Sequence, residues 1–313
     1  MRFLGIDTSN YTTSAAVYDT DTNTIKQQKK LLPVRPGEKG LRQSDAVFHH
    51  TVELPQVVSN LVQDCNGNFD AFGVSAFPRR VEGSYMPCFL VGQSVAQSLA
   101  SVQKLPLHIF SHQEGHIAAA LYSAERLSLL KETFVAFHIS GGTTEALLVK
   151  PDSEHILSCE CIARSLDLKA GQLIDRVGVM LGLSFPCGAA LENLADKSNK
   201  LYRLKPTMKG MDCCLSGLEN QCRKLLADGE VPENIARYCM CGVLAALVGM
   251  AEAIVQECGH LPIIFSGGVA SNRMLKDDLS ARYGAYFAAP AFSADNAAGI
   301  AVLTALKEKG ITI

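Results

Sequence analysis

His112-Gln113-Glu114-Gly115-His116 sets two imidazoles four residues apart. On a helix that spacing brings both rings to one face, within reach of a single metal ion. The same spacing also suits two polar positions at a helix start, and Gly115 weakens the helix between them. Glu114 does not directly follow His112, so the pattern is not the His-Glu-x-x-His of metalloproteases. Two histidines call for a third, carboxylate ligand, and Asp295-Asn296 at the start of the last helix, after the apolar run Ala288 to Phe292, offers one.

Three turns carry a second kind of chemistry. Asp7-Thr8-Ser9 ends a short apolar run, and by itself it also reads as an ordinary turn. Ser140-Gly141-Gly142-Thr143 follows the apolar run Phe134 to Ile139, where a glycine pair is unfavourable unless another group must approach the backbone closely. Phe265-Ser266-Gly267-Gly268-Val269-Ala270-Ser271-Asn272 again leads from an apolar run into a helix. Small residues and hydroxyls at strand ends aim N–H groups at an anion, and phosphate is the expected guest.

The elements that must position these groups alternate. Phe3 to Ser9 and Ala15 to Tyr18 read as strands about a polar turn, and Phe134 to Glu145 followed by Ala146 to Val149 repeats that arrangement, which implies an internal duplication. Helical patterns cover 44–63, 91–103, 113–130, 170–181, 189–198, 216–226, 234–259, 272–283 and 295–309, with strands at 105–110 and 261–265. Strands alternating with helices predict an α/β protein of two lobes, 1–125 with 296–313 and 126–295.

With 313 residues, 48% hydrophobic and 19% charged, the chain is long enough for two cores and too apolar for disorder. The stretch Met240 to Ile254 is too short or interrupted for the roughly 20 apolar residues of a membrane span. Asp7 interrupts the N-terminus before the roughly 7 to 15 apolar residues of a secretory signal could accumulate. A cytoplasmic location without a membrane partner is expected. A net charge of -2 gives no global field for nucleic acid, so such a role needs a local patch, for which Arg79-Arg80 is the candidate, or a partner protein. Eleven cysteines without Cys-x-x-Cys spacing suggest mostly buried thiols rather than a disulfide framework or a zinc knuckle.

Eight segments occur in an order that resembles the catalytic subunit family of tRNA threonylcarbamoyladenosine synthesis, formerly called the glycoprotease family. They are Phe3 to Ser9, His112-x-x-x-His116, Ser140-Gly141-Gly142, Ala170-Gly171-x-x-x-Asp175, Gly182 to Gly188, Leu215 to Leu218, Gly267 to Arg273 and Asp295-Asn296. The resemblance runs from residue 1 to about residue 305. It implies an actin/Hsp70/sugar-kinase (ASKHA) fold of two duplicated lobes around a nucleotide cleft. It also implies transfer of threonylcarbamoyl from its adenylate to N6 of adenosine 37 in tRNA. His112, His116 and Asp295 match the family's ligands for iron or zinc. His138, Ile139, Ser140, Gly141 and Gly142 match its phosphate-side loop, and Asp175, Gly188 and Asn272 its nucleoside positions. Asp7 and Ser9 stand at the family's catalytic start. The implied cofactors are the metal and an adenine nucleotide, threonylcarbamoyl-adenylate or ATP, with magnesium as a further candidate. The implied partners are tRNA and other subunits of a transfer complex, including a paralogue of the same fold.

The chain also departs from that family. Asn10-Tyr11-Thr12-Thr13 stands where a Cys-Asp-Glu-Thr run is usual, so two acidic groups are missing at Tyr11 and Thr12. Thr143 stands in place of a histidine, and Phe77-Pro78-Arg79-Arg80 with a longer segment to Pro87 in place of a Gly-Pro-Gly-Leu turn. A divergent paralogue fits these changes. The alternatives are carbamoyl transfer to another acceptor and a non-catalytic, ATP-binding partner of a true synthase. A small-molecule kinase would have no use for the histidine pair, and a nucleophile elbow for a protease is absent from the sequence.

Overall fold

Six consecutive residues of the first strand, Phe3 to Thr8, are buried, so this strand must be covered on both faces. In the computed structural model, which describes residues 1–9, 11–33, 41–63, 67–293 and 297–310, it is the centre of a five-stranded sheet. The chain runs β1 (Arg2–Ser9), β2 (Thr12–Asp19), β3 (Thr24–Leu31), α1 (Gln43–Gln63), β4 (Ala71–Phe77), α2 (Phe89–Gln103), β5 (Leu107–Ser111) and α3 (His112–Ser123). The sheet order is β3-β2-β1-β4-β5, with β1 to β3 antiparallel and β1, β4 and β5 parallel.

Next come β6 (Phe134–Ile139), β7 (Thr144–Asp152), β8 (Ile156–Arg164), α4 (Ala170–Met180), α5 (Gly188–Ala195), β9 (Thr207–Lys209) and β10 (Asp212–Cys214). The chain ends with α6 (Ser216–Ala227), α7 (Pro232–Cys258), β11 (Ile263–Ser266), α8 (Arg273–Tyr283), β12 (Tyr286–Phe287) and α9 (Ala297–Lys309). The second large sheet has the order β12-β11-β6-β7-β8, with β6 antiparallel to β7 and parallel to β11. Taken from β8, this is the order of the first sheet again. The duplication expected from two similar hairpins therefore extends to the crossover strands.

Two compact units result, Met1–Glu132 with Lys150–Cys159 and Ala291–Ile313, and Thr133–Val149 with Glu160–Pro290. In the first, alternation along β1 decides what each residue meets. Leu4 and Ile6 join Leu54, Leu61, Ala96 and Ala100 in the core beneath α1 and α2. Gly5 points the other way, where an added Cβ would lie 2.3 Å from the Ala297 carbonyl of α9. In the second unit, Val135, Phe137 and Ile139 pack with α4, α5, α6 and α7, and Phe137 stacks on Phe265 with ring centroids 4.6 Å apart.

Several expectations change. The helix expected over 113–130 ends at Ser123; Glu125 takes a left-handed backbone at φ 56°, and a 3-10 turn follows at Leu127–Lys131. Strands β3, β4, β8 and β12 and the β9-β10 hairpin were absent from the sequence reading. β3 alternates half-buried and exposed positions almost without apolar residues, and β12 is two residues long. Helix α7 has the length and hydropathy of a membrane span, contrary to expectation, yet 56% of its apolar window is buried, and that face forms part of the second unit's core. Of the ten described cysteines, five are buried, four half-buried, and Cys161 is exposed.

Candidate functional site

The register that sends Gly5 toward α9 sends Asp7 to the same face, where α3 begins. Ser111 caps α3: its hydroxyl accepts from the Glu114 N–H at 3.1 Å, and the Glu114 carboxylate accepts from the Ser111 N–H at 2.5 Å, a full capping box. This cap fixes the first turn and with it both histidines. The His112 and His116 rings lie edge to face with centroids 4.6 Å apart. Nδ1 of His112 is 3.2 Å from each Asp7 oxygen.

Asp7 is buried and receives hydroxyl hydrogen bonds from Ser75 and Ser9. Burial alone would raise its pKa, but the charge and hydrogen bond of His112 and the two hydroxyls outweigh it and hold the carboxyl below the usual range. An imidazole that gives Nδ1 to a carboxylate presents Nε2 as its ligating nitrogen, which is how metal-bound histidines are usually oriented. Two imidazoles, one of them so oriented, are nitrogen donors of the kind a transition metal takes, and a third ligand is needed to complete the set. Asp295, expected as the third ligand, falls outside the described residues, and among the described residues no group of three His, Cys, Asp or Glu is arranged to hold an ion.

Next to α3, Arg80 makes a two-pronged ion pair with Glu114, Nε at 2.8 Å and Nη2 at 3.2 Å, and its guanidinium stands 5.2 Å from the Phe77 ring centroid. Of the candidate pair Arg79-Arg80, the Arg80 guanidinium is thus engaged by a buried carboxylate.

The second and third glycine-rich turns come together inside the second unit, where a cleft of about 370 Å³ is lined by Gly141, Gly171, Ile174, Asp175, Pro186, Gly188, Ala189, Glu192, Met240, Gly268, Val269, Ser271 and Asn272. The turn at 140–143 is closed by Ser140 N–H to Thr143 O at 2.8 Å and Thr143 N–H to Ser140 Oγ at 3.1 Å. Helix α4 abuts it: a Cβ on Gly171 would sit 2.6 Å from the Gly141 backbone. On Gly141, Gly142, Gly188 or Gly268, by contrast, a Cβ would meet nothing within 4 Å. That is open space beside main chain, as a cradle for a guest requires. Asp175 borders the cleft and accepts from the Cys187 N–H at 2.8 Å through Oδ1.

Other expected residues have different parts. The Ile139 side chain is fully buried in the core, so only its main chain could serve a loop; Gly267, at φ 96°, packs against that carbonyl. His138 Nδ1 pairs with Ser266 Oγ at 3.1 Å. Asn272 Oδ1 caps α8, accepting from Leu275 N–H at 3.1 Å, so the amide Nδ2 is what it can offer a ligand. Sequence reasoning missed Ser75, Glu192 and the structural part of Glu114, and it named Arg80 only as a basic-patch candidate, not as the partner of Glu114. Ser75 was findable, since the apolar run Ala71 to Phe77 has the signature of a buried strand; Glu114 was visible as Ser-x-x-Glu, a capping box.

Residues 23–302 match the family described as tRNA N6-adenosine threonylcarbamoyltransferase. A Haloquadratum walsbyi protein named as a probable bifunctional tRNA threonylcarbamoyladenosine biosynthesis protein is 29% identical, and this chain aligns over its full length with 58% of that protein. The tRNA N6-adenosine threonylcarbamoyltransferase of Francisella philomiragia is 28% identical over 98% of this chain and 94% of its own. Among solved structures, HypF of T. kodakarensis superposes with a TM-score of 0.65 at 13% identity, covering 99% of this chain and 48% of HypF. Component A of the Acidaminococcus fermentans (R)-2-hydroxyglutaryl-CoA dehydratase superposes with a TM-score of 0.57 at 16% identity over 99% of both chains. These likenesses establish the ASKHA fold.

Proposed function

Because the chain belongs to the tRNA N6-adenosine threonylcarbamoyltransferase family, we propose that it transfers threonylcarbamoyl from threonylcarbamoyl-adenylate to N6 of adenosine 37 in tRNA. The observation that carries this reading is the carboxylate-oriented histidine pair, Asp7 against His112 with His116 one turn on. In this reading His112, His116 and Asp295 hold iron or zinc. A Lewis acid there would polarise the carbamoyl carbonyl and steady the leaving phosphate.

The chain's own residues do the rest. Asp7 keeps the His112 tautomer and direction, while His112 itself, with Ser75 and Ser9, holds the Asp7 carboxyl below its usual pKa. The adenylate's nucleoside takes the cleft beside Gly188 and Asn272, with Asp175 toward the ribose and the phosphate against Ser140 to Gly142. The His138 ring is held in place by its bond to Ser266 Oγ. The acceptor tRNA reaches the chain with other subunits, since the net charge of -2 supplies no attracting field.

A second reading, a paralogue acting on a different acceptor or supporting a true synthase, is favoured by one observation: Tyr11 and Thr12 stand where the family pattern has acids. One experiment separates them. The purified protein, with partner subunits, threonylcarbamoyl-adenylate and unmodified tRNA, is expected to yield modified adenosine, and His112→Ala is expected to abolish it. Consumption of the adenylate with unmodified tRNA would favour another acceptor, and no consumption the supporting role.

A further inference from the structure

We propose that Arg80 is a positioning residue for the histidine pair, setting the direction of both imidazoles by clamping Glu114 from outside helix α3. Glu114 lies between His112 and His116 in sequence, and its side chain is only 3% exposed. A carboxylate removed from water needs a cation or several donors. Here it has the Ser111 N–H on one side and the Arg80 fork on the other. The fork is itself held, since Phe77 underlies the guanidinium and the Pro78 carbonyl accepts from the Gln113 N–H at 3.1 Å. The first turn of α3 is thus tied twice to the segment that follows β4.

Removing the guanidinium would leave a buried carboxylate with one N–H partner. Relief comes from swinging out to water, which breaks the bond to the Ser111 N–H and loosens the cap that starts the helix. His112, the first residue of that helix, would lose its fixed line to Asp7. The segment 77–87 is where this chain departs from the family's Gly-Pro-Gly-Leu pattern, so the clamp is built from residues that the family pattern does not supply.

The inference rests on the reading of His112 and His116 as metal ligands, and its test separates the two. Wild type, Arg80→Met, Arg80→Lys, Arg79→Met and His112→Ala are titrated with cobalt(II) against a competing chelator. Amide exchange at Ser111 to Glu114 is followed separately in metal-free protein. Arg80→Met is expected to weaken cobalt binding by about 10-fold or more, as loss of outer support does at metal sites, and to speed exchange in the first turn of α3. Arg80→Lys should fall between, because an ammonium replaces one prong of two, and Arg79→Met should match wild type in both measurements. Wild-type cobalt affinity and wild-type exchange in Arg80→Met would overturn the clamp. If wild type and His112→Ala bind cobalt alike, the metal reading falls instead, and the clamp then stands or falls on the exchange rates alone. Should Arg80→Met not fold, Arg80→Lys against Arg79→Met gives the same decision.

Discussion

Both carboxylate oxygens of Asp7 stand 3.2 Å from Nδ1 of His112, so the acid acts on the imidazole through that one nitrogen. Asp7→Asn keeps the volume and removes the charge. We expect metal affinity to fall about 10- to 100-fold, the usual effect of deleting an orienting carboxylate. Chelator competition checks this, and an unchanged affinity would detach Asp7 from the site.

Two glycines of the second unit should answer differently to the same methyl group. Gly171→Ala pushes a Cβ into the Gly141 backbone, which cannot yield as a side-chain tip would, so a loss of about 1 to 3 kcal/mol in urea unfolding is expected. Gly188→Ala meets open space and should leave stability within about 0.5 kcal/mol while narrowing the cleft and weakening adenine-nucleotide binding. Undiminished affinity in Gly188→Ala would place the nucleotide elsewhere.

Asp175→Ala should weaken adenine nucleotides roughly 10- to 100-fold, the effect of losing a charge-assisted hydrogen bond of about 1.5 to 3 kcal/mol. Because Asp175 also accepts from the Cys187 N–H, Asp175→Asn is the sharper variant: it keeps an acceptor there and removes only the charge. Calorimetry that finds both variants at wild-type affinity would exclude Asp175 from the site.

His50 gives the stability a pH dependence of definite sign. Buried on α1 with Nδ1 2.7 Å from Thr13 Oγ1, it has a pKa pushed down from 6.5 to about 4 by burial, which the nearby Asp7 charge only partly offsets. A depressed histidine pKa means that the unfolded chain takes up the proton first. Stability is therefore full above pH 6.5 and declines toward pH 4, by about 3 kcal/mol in all. His50→Gln should flatten that part of the urea-midpoint profile, and identical slopes would show that His50 protonates without cost in the fold.

What could be read beforehand divides along physical lines. Local signals carried far: the β1-β2 hairpin, its echo at β6-β7 and most helices follow from apolar periodicity, and His112 with His116 from spacing alone. Partnerships over long sequence distances did not announce themselves. Ser75 meets Asp7 because β4 pairs with β1 in parallel, and Arg80 meets Glu114 because a loop after β4 folds back on α3. Neither follows from composition, since each depends on register and on which face a strand presents. The edge strand β3 escaped notice because water, not a core, covers most of it.

The first unit is closed by the far end of the chain. Gly5 of β1 and Gly299 of α9 let that last helix press against main chain, with an added Cβ on Gly299 falling on the Gly115 carbonyl of α3. During synthesis, β1 and α3 must wait for Ala297 and the residues after it, while every residue of the second unit emerges in between. At about 5 to 20 residues per second this leaves the first sheet uncovered for on the order of ten seconds or longer. The protein thus has a period on the ribosome when its second-made half can be finished and its first-made half cannot. A nascent-chain binder that shields the α9-facing side of β1 would act in that interval and have no target afterwards.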